Sequence, residues 1–366
     1  MKNSFICCTP FHIMVSIHLV KTKYQNEDNT IFISDHFATS LKIKNKLEQL
    51  SIFNNVYFVK DKELSYDKSI LKFKKIIYFL FNNVSKIVSE KPKEYKYDQL
   101  FIFTNSFFSK ILLNKAIEIN PALQVNFVEE GIMTYLLNKQ DKKEKLKILI
   151  DKCFHRFLNK RFLNLNIINK VLLFKPIYFM GNLNCTLEEI PFINKKDEEL
   201  INSLNYVFEY KKQYEFNKFK YIFFDQSFSI DGNNTVNEFE VIKTLNKLIE
   251  NKELLVKLHP RDSLDKFKKI GNLNVSNTNF PWELIYLNES CNHSTLISVN
   301  SSALFSPYNI FGEKHKLILL YDLFKLKRDY LEEFVKISDN KDIFIPKTED
   351  ELTNILQSSF PARSEL

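Results

Sequence analysis

The chain has 366 residues, a formal net charge of +8 at neutral pH, 45% hydrophobic residues and 26% charged residues. At roughly 150 residues per domain this length predicts two domains, and the composition is ordinary for a globular protein in water. Only five glycines are present, which disfavours a glycine-rich phosphate loop. The lysines are scattered, with no track of arginine and aromatic residues, so nucleic acid is disfavoured as a partner. The charge indicates either a codon bias towards lysine or attraction to anions such as a sugar nucleotide, an acidic glycan or a lipid surface.

The cysteines and the N-terminal segment both bear on the compartment. Five cysteines, an odd number without CxxC spacing, argue against a disulfide framework and a zinc site and favour a reducing compartment. The first twenty residues superficially resemble a signal peptide, but His12, Ser16 and His18 interrupt the apolar stretch and no cleavage site follows. No run reaches the ~18 apolar residues of a transmembrane helix. We expect a cytoplasmic protein and leave open its association with the inner face of the cytoplasmic membrane.

Strand-like and helix-like segments alternate in the first half of the chain. Apolar runs predict strands at 5–9, 30–34, 55–59, 99–104 and 124–128. Helical spacing predicts helices at 11–21, at 107–117 behind an N-cap at Asn105-Ser106, and over a basic stretch at 139–170. Repeated βα units predict a parallel, doubly wound sheet in a first domain at 1–170.

The second half repeats this organisation after an interruption. Pro176, Gly181 and Pro191 break the pattern, so we place a linker at 171–195 and a second domain at 196–361. Predicted elements there are strands at 221–224, 254–258, 274–276, 295–299 and 317–321 and a helix at 349–357. Residues 362–366 are interpreted as a remnant of cloning. The predicted fold class is α/β, with two Rossmann-like domains facing a central cleft.

Three polar signatures directly follow predicted strands. They are Glu129-Glu130-Gly131, Lys257-Leu258-His259-Pro260 and Asn300-Ser301-Ser302. Ligands of open α/β sheets bind just beyond the carboxyl ends of the strands, so we expect these groups to meet a nucleotide-linked substrate.

The acid pair suits a general base. Two adjacent carboxylates on a strand cannot both point the same way, so one of Glu129 and Glu130 would face the cleft and take a proton from a sugar hydroxyl. A solvated acidic turn is the alternative. Asp231, on the first loop of the second domain, is a rival base, although Asp231-Gly232 also fits a plain turn.

The histidine signature suits a phosphate leaving group. Alternation places Lys257 and His259 on one side of the strand, and Pro260 ends the strand directly after the imidazole. A protonatable histidine between Lys257 and Arg261 would hydrogen-bond a phosphate. The alternative is a structural histidine at a strand end.

The serine signature and the helix before it complete the predicted site. The hydroxyls of Ser301 and Ser302 would form an anion site, and N-capping is the alternative. Glu283, at a helix start, would accept the hydroxyls of a ribose. Trp282, the single tryptophan, is predicted to pack in the core.

The order acid-acid-Gly, His-Pro, Ser-Ser in a two-domain α/β chain resembles the bacterial sialyltransferases. The segments Ile6-Cys7-Cys8-Thr9-Pro10-Phe11 and Phe224-Asp225-Gln226-Ser227 most resemble glycosyltransferase family 52, which includes lipooligosaccharide and capsule sialyltransferases. The related bacterial polysialyltransferases share the three signatures. The resemblance implies a GT-B fold, with the acceptor held mainly by the first domain and CMP-sialic acid by the second.

The resemblance also implies an inverting, metal-independent transfer from CMP-Neu5Ac to a terminal galactose-type hydroxyl. His259 of the His259-Pro260 motif would be the general acid on the CMP phosphate, and Glu129 or Glu130 the base, with Asp231 as the rival. Further donor contacts would come from Lys257, Glu283, Ser301 and Ser302. The resemblance implies no cofactor beside the donor substrate, and the absence of an Asp-x-Asp pair to bind a metal is consistent with a metal-independent enzyme.

Three alternatives remain for the function. A polysialyltransferase would use the basic segment 139–161 to hold its acceptor. A sister enzyme would use CMP-Kdo or another nucleotide sugar, and a protein of another class would bind a sugar nucleotide for a capsule locus without turnover. The high content of Phe and Tyr also suggests exposed aromatic surface and hence a homodimer.

Overall fold

A computed structural model describes most of the chain. The described residues are 1–66, 78, 81, 84–137, 145, 146, 148, 149, 152, 164–212, 214–228, 236–259, 262, 264–276, 280–326 and 329–358. The chain divides into two compact units, Met1–Tyr210 and Lys211–Leu366. Each unit is built on a parallel sheet of its own.

The sheet of the first unit has the doubly wound order. Its strands are β1 (Lys2–Cys7), β2 (Asp28–Ser34), β3 (Asn55–Val59), β4 (Gln99–Ile102), β5 (Gln124–Val128), β6 (Lys170–Leu173) and β7 (Thr186–Glu189). Across the sheet they lie in the order β3-β2-β1-β4-β5-β6-β7, and neighbouring strands pair in parallel. The order reverses between β1 and β4, which is the point where ligands bind in such sheets.

The helices of the first unit start where side chains can cap them. They are α1 (Pro10–Thr22), α2 (Ser40–Leu50), α3 (Lys62–Tyr66), α4 (Phe107–Ile119) and α5 (Glu198–Phe208). The Thr9 side chain accepts a hydrogen bond from His12 N–H, and Pro10 supplies a first helical residue that lacks an N–H. Ser106 caps α4 in the same way, as the sequence predicted.

The core of the first unit lies against both faces of its sheet. The central strands are buried nearly throughout, as expected of parallel strands that helices cover on both sides. Phe5 of β1 stacks on Phe101 of β4 with ring centroids 4.4 Å apart. Helix α1 is buried continuously from His12 to Val20, so it is a core helix and its polar residues face protein groups.

The second unit repeats the doubly wound order. Its strands are β8 (Tyr221–Phe224), β9 (Leu254–Lys257), β10 (Asn274–Ser276), β11 (Thr295–Ser298), β12 (Leu317–Leu319) and β13 (Ile343–Phe344). Its helices are α6 (Glu238–Leu248), α7 (Trp282–Asn288), α8 (Ser306–Phe311), α9 (Asp329–Ile337) and α10 (Glu349–Gln357). The parallel sheet runs β10-β9-β8-β11-β12-β13 and reverses between β8 and β11. Trp282 packs in the core as predicted, with 4% of its surface exposed and its ring 4.7 Å from that of Phe224.

The predicted α/β class with two Rossmann-like units is confirmed, but the chain divides later than the sequence predicted. Strands β6 and β7 lie in the segment interpreted as a linker at 171–195, and both belong to the first sheet. Pro176, Gly181 and Pro191 lie between or after these strands, so they mark turns within the unit. Helix α5 packs against α1 and α2 and therefore also belongs to the first unit. Residues 362–366 and most of 139–161 lie outside the described residues.

Two further expectations concern membranes and thiols. Within the described ranges, none of the helices combines the length and apolar character needed to cross a bilayer. The described cysteines are free thiols: Cys7, Cys8, Cys185 and Cys291. Three of them are buried, which is the usual environment of a cysteine that packs as a small apolar residue.

Candidate active site

The acid pair directly follows β5 at the carboxyl edge of the first sheet, and its two side chains lie in different environments. Glu129 is 3% exposed, and its Oε2 accepts hydrogen bonds from Tyr135 Oη at 2.6 Å and from Phe174 N–H at 2.9 Å. The side chain of Glu130 is 45% exposed. Glu129 therefore joins the loop after β5 to the end of β6, while Glu130 is the carboxylate that a ligand can reach.

The protonation of Glu129 follows from its burial. Burial raises the pKa of Glu129 to about 7, against the opposing effect of the hydrogen bonds from Tyr135 and Phe174. A pKa near neutrality suits a general base, but a base must also reach its substrate. The contacts of Glu129 are buried protein groups, so its position indicates a structural role.

The turn after the acid pair requires glycine, as the sequence predicted. Gly131 has φ 149°, a conformation that residues with a Cβ rarely adopt. The chain then forms the 3₁₀ helix Ile132–Leu136, and the backbone N–H of Glu130 donates to Thr134 Oγ1 at 3.1 Å. This turn fixes the backbone that carries the Glu130 carboxylate.

His12, in the first turn of α1, lies against Glu130. Its buried ring stacks on Phe103, with centroids 4.4 Å apart and planes 9° apart. Its Nδ1 accepts a hydrogen bond from Cys8 N–H at 3.1 Å, which assigns the proton of the neutral ring to Nε2. Nε2 lies 3.4 Å from Glu130 Oε1. Burial lowers the pKa of His12 despite the opposing effect of Glu130, so a neutral imidazole orients the carboxylate.

In the second unit, Lys257 and Glu283 lie close together at the carboxyl edge of the sheet. Lys257 ends β9 and is 6% exposed, and burial lowers its pKa to about 8 while Glu283 acts in the opposite direction. Glu283 lies in the first turn of α7 and accepts a hydrogen bond from Ser306 Oγ at 2.6 Å. Burial raises the pKa of Glu283, and the Ser306 hydroxyl and Lys257 oppose this. The structure thus joins Glu283 to the start of α8 and places Lys257 near enough to interact with it electrostatically.

The serine pair, Ser301 and Ser302, lies a few residues before Ser306 in the chain. Ser301 Oγ accepts a hydrogen bond from Ala303 N–H at 3.3 Å, so the capping role considered as an alternative is present. A hydroxyl that accepts in a cap keeps its own proton to donate to a ligand. Ser302 is exposed at the start of the short 3₁₀ helix.

Gln226 connects the loop after β8 to the loop after β11 by hydrogen bonds. The strand order of the sheet reverses between these two strands. Gln226 Oε1 accepts hydrogen bonds from Asn300 N–H at 2.9 Å and from Ser298 Oγ at 3.2 Å. The backbone N–H of Ser301 donates to Ser298 Oγ at 3.2 Å. These bonds fix the backbone from which the serine pair projects.

The loop that carries His259 is anchored by an ionic network. His259 is half-buried, and its carbonyl accepts a hydrogen bond from Asp262 N–H at 2.9 Å. The Asp262 carboxylate accepts from Ser227 Oγ at 2.8 Å and from Lys266 Nζ at 3.0 Å, and Lys266 also binds Asp225 at 2.6 Å. Burial raises the pKa of Asp225 to about 7, with Lys266 opposing. The network holds the histidine loop beside the loop after β8.

Two of the predicted site residues lie outside the described residues, and three residues that the structure brings to the site were not predicted. Asp231 and Pro260 lie outside the described residues, so their roles stay predictions. Sequence reasoning missed His12, Gln226 and Ser306. A signal existed for His12, because it interrupts an apolar stretch that directly follows a predicted strand, whereas the contacts of Gln226 and Ser306 connect distant segments.

Comparison with known proteins decides the family. The model of the alpha-2,8-polysialyltransferase (POLYST) family matches residues 3–320. The chain belongs to this family. It is therefore a glycosyltransferase, and the resemblance to bacterial sialyltransferases related to the polysialyltransferases is confirmed. The matching family is the one that the sequence analysis placed beside family 52. No curated protein matches the chain.

Several solved structures with a similar fold are glycosyltransferases. The α/β-galactoside α-2,3-sialyltransferase of the luminous marine bacterium Photobacterium phosphoreum is 12% identical, with a TM-score of 0.55 over 94% of this chain and 98% of that chain. The GT-B domain of a Photobacterium damselae sialyltransferase is 11% identical, with a TM-score of 0.52 over 94% and 100%. The spinosyn rhamnosyltransferase SpnG, complexed with thymidine diphosphate, is 6% identical, with a TM-score of 0.52 over 97% and 90%. These similarities establish that this member of the polysialyltransferase family has the GT-B fold.

Proposed function

We propose that the protein transfers sialic acid from CMP-Neu5Ac to a hydroxyl of a bacterial surface glycan, a lipooligosaccharide or capsule, with inversion at the transferred sugar. The carboxyl edge of the second sheet is the observation that carries this proposal. Lys257 ends β9, His259 follows it, and Glu283 lies in the first turn of α7. Nucleotides bind Rossmann-like sheets at this edge, and cationic and hydroxyl groups there suit the phosphate of CMP.

The donor side of the reaction depends on stabilising CMP as it leaves. His259 would hydrogen-bond the phosphate and deliver a proton to it as the bond to sialic acid breaks. Lys257, with its pKa near 8, is mostly cationic at neutral pH and would offset the developing negative charge. Ser301 and Ser302 would donate their hydroxyl protons to the same phosphate. We propose that no metal ion bridges this phosphate, since the sequence contains no Asp-x-Asp pair.

The acceptor side requires a base, and Glu130 is our candidate. It is the exposed member of the acid pair, and His12 Nε2 lies 3.4 Å from its Oε1. Glu130 would take the proton of the attacking hydroxyl in a single displacement through an oxocarbenium-like transition state. His12 would act as a positioning residue, because its neutral ring holds the carboxylate without removing its charge.

The family match bears on the choice between a galactose-type hydroxyl and a sialic acid terminus as the acceptor. The resemblance to family 52 implies a galactose-type hydroxyl as the acceptor, whereas the matching family is that of the alpha-2,8-polysialyltransferases. Membership in this family supports a sialic acid terminus as the acceptor and repeated transfer as the outcome. Elongation of an oligosialic acid is therefore our second candidate function.

The test is CMP release from CMP-Neu5Ac with no acceptor, with lactose, and with an α-2,8-linked oligosialic acid, each in Mg²⁺ and in EDTA. Release that an acceptor stimulates equally in both buffers is the expected result. Stimulation by lactose alone identifies single transfer, and products of increasing length from the oligosialic acid identify a polymerase. A protein that CMP stabilises against heat but that never releases CMP from the donor would refute the proposed transfer.

A further inference from the structure

Three potential metal ligands converge at the carboxyl edge of the first sheet. Cys8 follows β1, His36 follows β2, and Asp61 follows β3, and these strands are adjacent in the sheet. One ligand atom from each residue lies within 4.8 Å of the other two. Separate loops thus bring a thiol, an imidazole and a carboxylate to one point.

Two ligand atoms of this cluster are buried without a hydrogen-bond partner among the described residues, while the buried Cys8 thiol interacts with the Ser106 side chain. His36 Nε2 and Asp61 Oδ2 are buried, and neither makes a hydrogen bond to the described residues. They lie 3.5 Å apart, with the Asp61 side chain 0% exposed and that of His36 8% exposed. An unsatisfied buried carboxylate oxygen is costly, so its orientation towards an imidazole nitrogen and a thiol calls for a ligand between them.

The backbone around the cluster holds these side chains in place. The second oxygen of the Asp61 carboxylate, Oδ1, accepts a hydrogen bond from Phe108 N–H at 3.0 Å. Asp35 Oδ1 accepts hydrogen bonds from the backbone N–H groups of Asp61 at 2.8 Å and Lys62 at 2.7 Å. Carboxylates that bind a metal are commonly held by hydrogen bonds from the protein, and the bond to Asp61 Oδ1 leaves Oδ2 available as a ligand atom.

We propose that Cys8, His36 and Asp61 bind a zinc ion. Tetrahedral zinc has bonds of ~2.0–2.3 Å to such ligands, which places ligand atoms roughly 3.3–3.8 Å apart. The 3.5 Å separation of His36 Nε2 and Asp61 Oδ2 already meets this requirement. Sulfur and imidazole ligands favour zinc over Mg²⁺, which prefers oxygen ligands in octahedral geometry. A thiolate and a carboxylate also balance the two charges of Zn²⁺, so the buried site is neutral overall.

Three protein ligands leave one coordination position open, as in zinc sites that bind water or a ligand oxygen. The site belongs to the first unit, and the residues proposed to bind phosphate belong to the second. The inference does not rest on sialyl transfer, and its test measures metal content instead of CMP release, so either proposal can fail without the other.

The test uses the full chain, stripped of metal and titrated with Zn²⁺ in competition with a chromophoric chelator. We expect one tightly bound equivalent in the wild type. Cys8→Ser, His36→Gln and Asp61→Asn should each weaken binding by more than the roughly 10–100-fold that loss of an outer-shell partner costs. Cys185→Ser, at a free thiol elsewhere in the first unit, is the matched control and should bind like the wild type.

Cobalt substitution provides a second measurement. Co²⁺ in this site should give visible bands of a tetrahedral ion and a thiolate-to-cobalt charge-transfer band, which Cys8→Ser should abolish and Cys185→Ser should leave. Circular dichroism identifies any variant that fails to fold, and the near-isosteric Cys8→Ser keeps the test interpretable. Absence of stoichiometric zinc in the wild type, or equal binding in all three ligand variants, overturns the proposal.

Discussion

At the level of single residues, the acid pair shows how one position along a strand changes the role of a carboxylate. Glu129 points into the unit and bonds to Tyr135 and Phe174, while Glu130 points outward beside His12. The sequence predicted that only one of the two could face a ligand, but it left open which. The deciding contact, Phe174 N–H, comes from the end of a strand that the sequence analysis assigned to a linker.

The two carboxylates should respond differently to the same substitution. Glu130→Gln should lower kcat by about 10²–10⁴-fold, the usual contribution of a general base, with the melting temperature little changed. Glu129→Gln alters a buried group and should instead change the melting temperature while retaining most of kcat. Steady-state CMP release and thermal unfolding of both variants provide the measurements. Full activity in Glu130→Gln would leave Asp231 as the leading base.

His12 should affect the reaction only through Glu130. His12→Ala removes the group 3.4 Å from the carboxylate and should lower kcat by up to about 100-fold, a typical cost of a misplaced reacting group. His12→Gln keeps an acceptor for Cys8 N–H and a donor for Glu130, so it should recover much of this loss. The double variant His12→Ala, Glu130→Gln separates positioning from a direct role. It should be no slower than Glu130→Gln alone, and fully additive losses would contradict a positioning role.

At the level of elements, the pattern of apolar runs determined most of the fold. Strands β3, β5, β8 and β10 have the predicted bounds, and Ser106 caps α4 as expected. Strand β7 was missed because its residues are mostly exposed, so it carries no buried apolar run.

The proposed zinc ligands were missed for a different reason. Their spacing along the chain reflects the lengths of βα units, and only the strand order makes Cys8, His36 and Asp61 neighbours.

The junction of β5 and β6 should give the stability of the protein a specific pH dependence. Burial raises the pKa of Glu129 from 4.5 to about 7. Between these two values the folded state holds a proton that the unfolded state has released, so Glu129 makes stability fall as pH rises through this window. Above pH ~7 the effect is complete and amounts to something on the order of 3 kcal/mol.

Glu129→Gln removes this titration and isolates the effect. The free energy of unfolding of the wild type minus that of the variant should decrease as pH rises from about 4.5 to 7 and then level off. Urea unfolding of both proteins at a series of pH values measures the difference, and groups that titrate in both cancel. A difference that is constant or that grows with pH would show that the ionised carboxylate is the favoured form in the folded protein.

At the scale of the whole molecule, the positive charge is unevenly distributed along the chain. The segment 139–161 contains nine basic and three acidic residues, which accounts for most of the net charge of +8. This segment is the sequence feature expected to attract a polyanionic acceptor. Attraction between exposed charges acts over a Debye length of ~10 Å at 0.1 M salt and weakens as salt is added.

The two candidate acceptors should therefore differ in their response to salt. For an oligosialic acid, kcat/KM should fall about 10-fold or more between roughly 50 and 300 mM NaCl, since steering of a polyanion is screened. For neutral lactose, kcat/KM should change little over the same range.

Lys142→Glu with Lys143→Glu should lower kcat/KM for the oligosialic acid at low salt and flatten its salt dependence. Lys243→Glu with Lys268→Glu makes the same change of charge at exposed positions in the second unit and should have a smaller effect. If both pairs act alike, net charge alone attracts the acceptor and the basic segment has no special part in binding it.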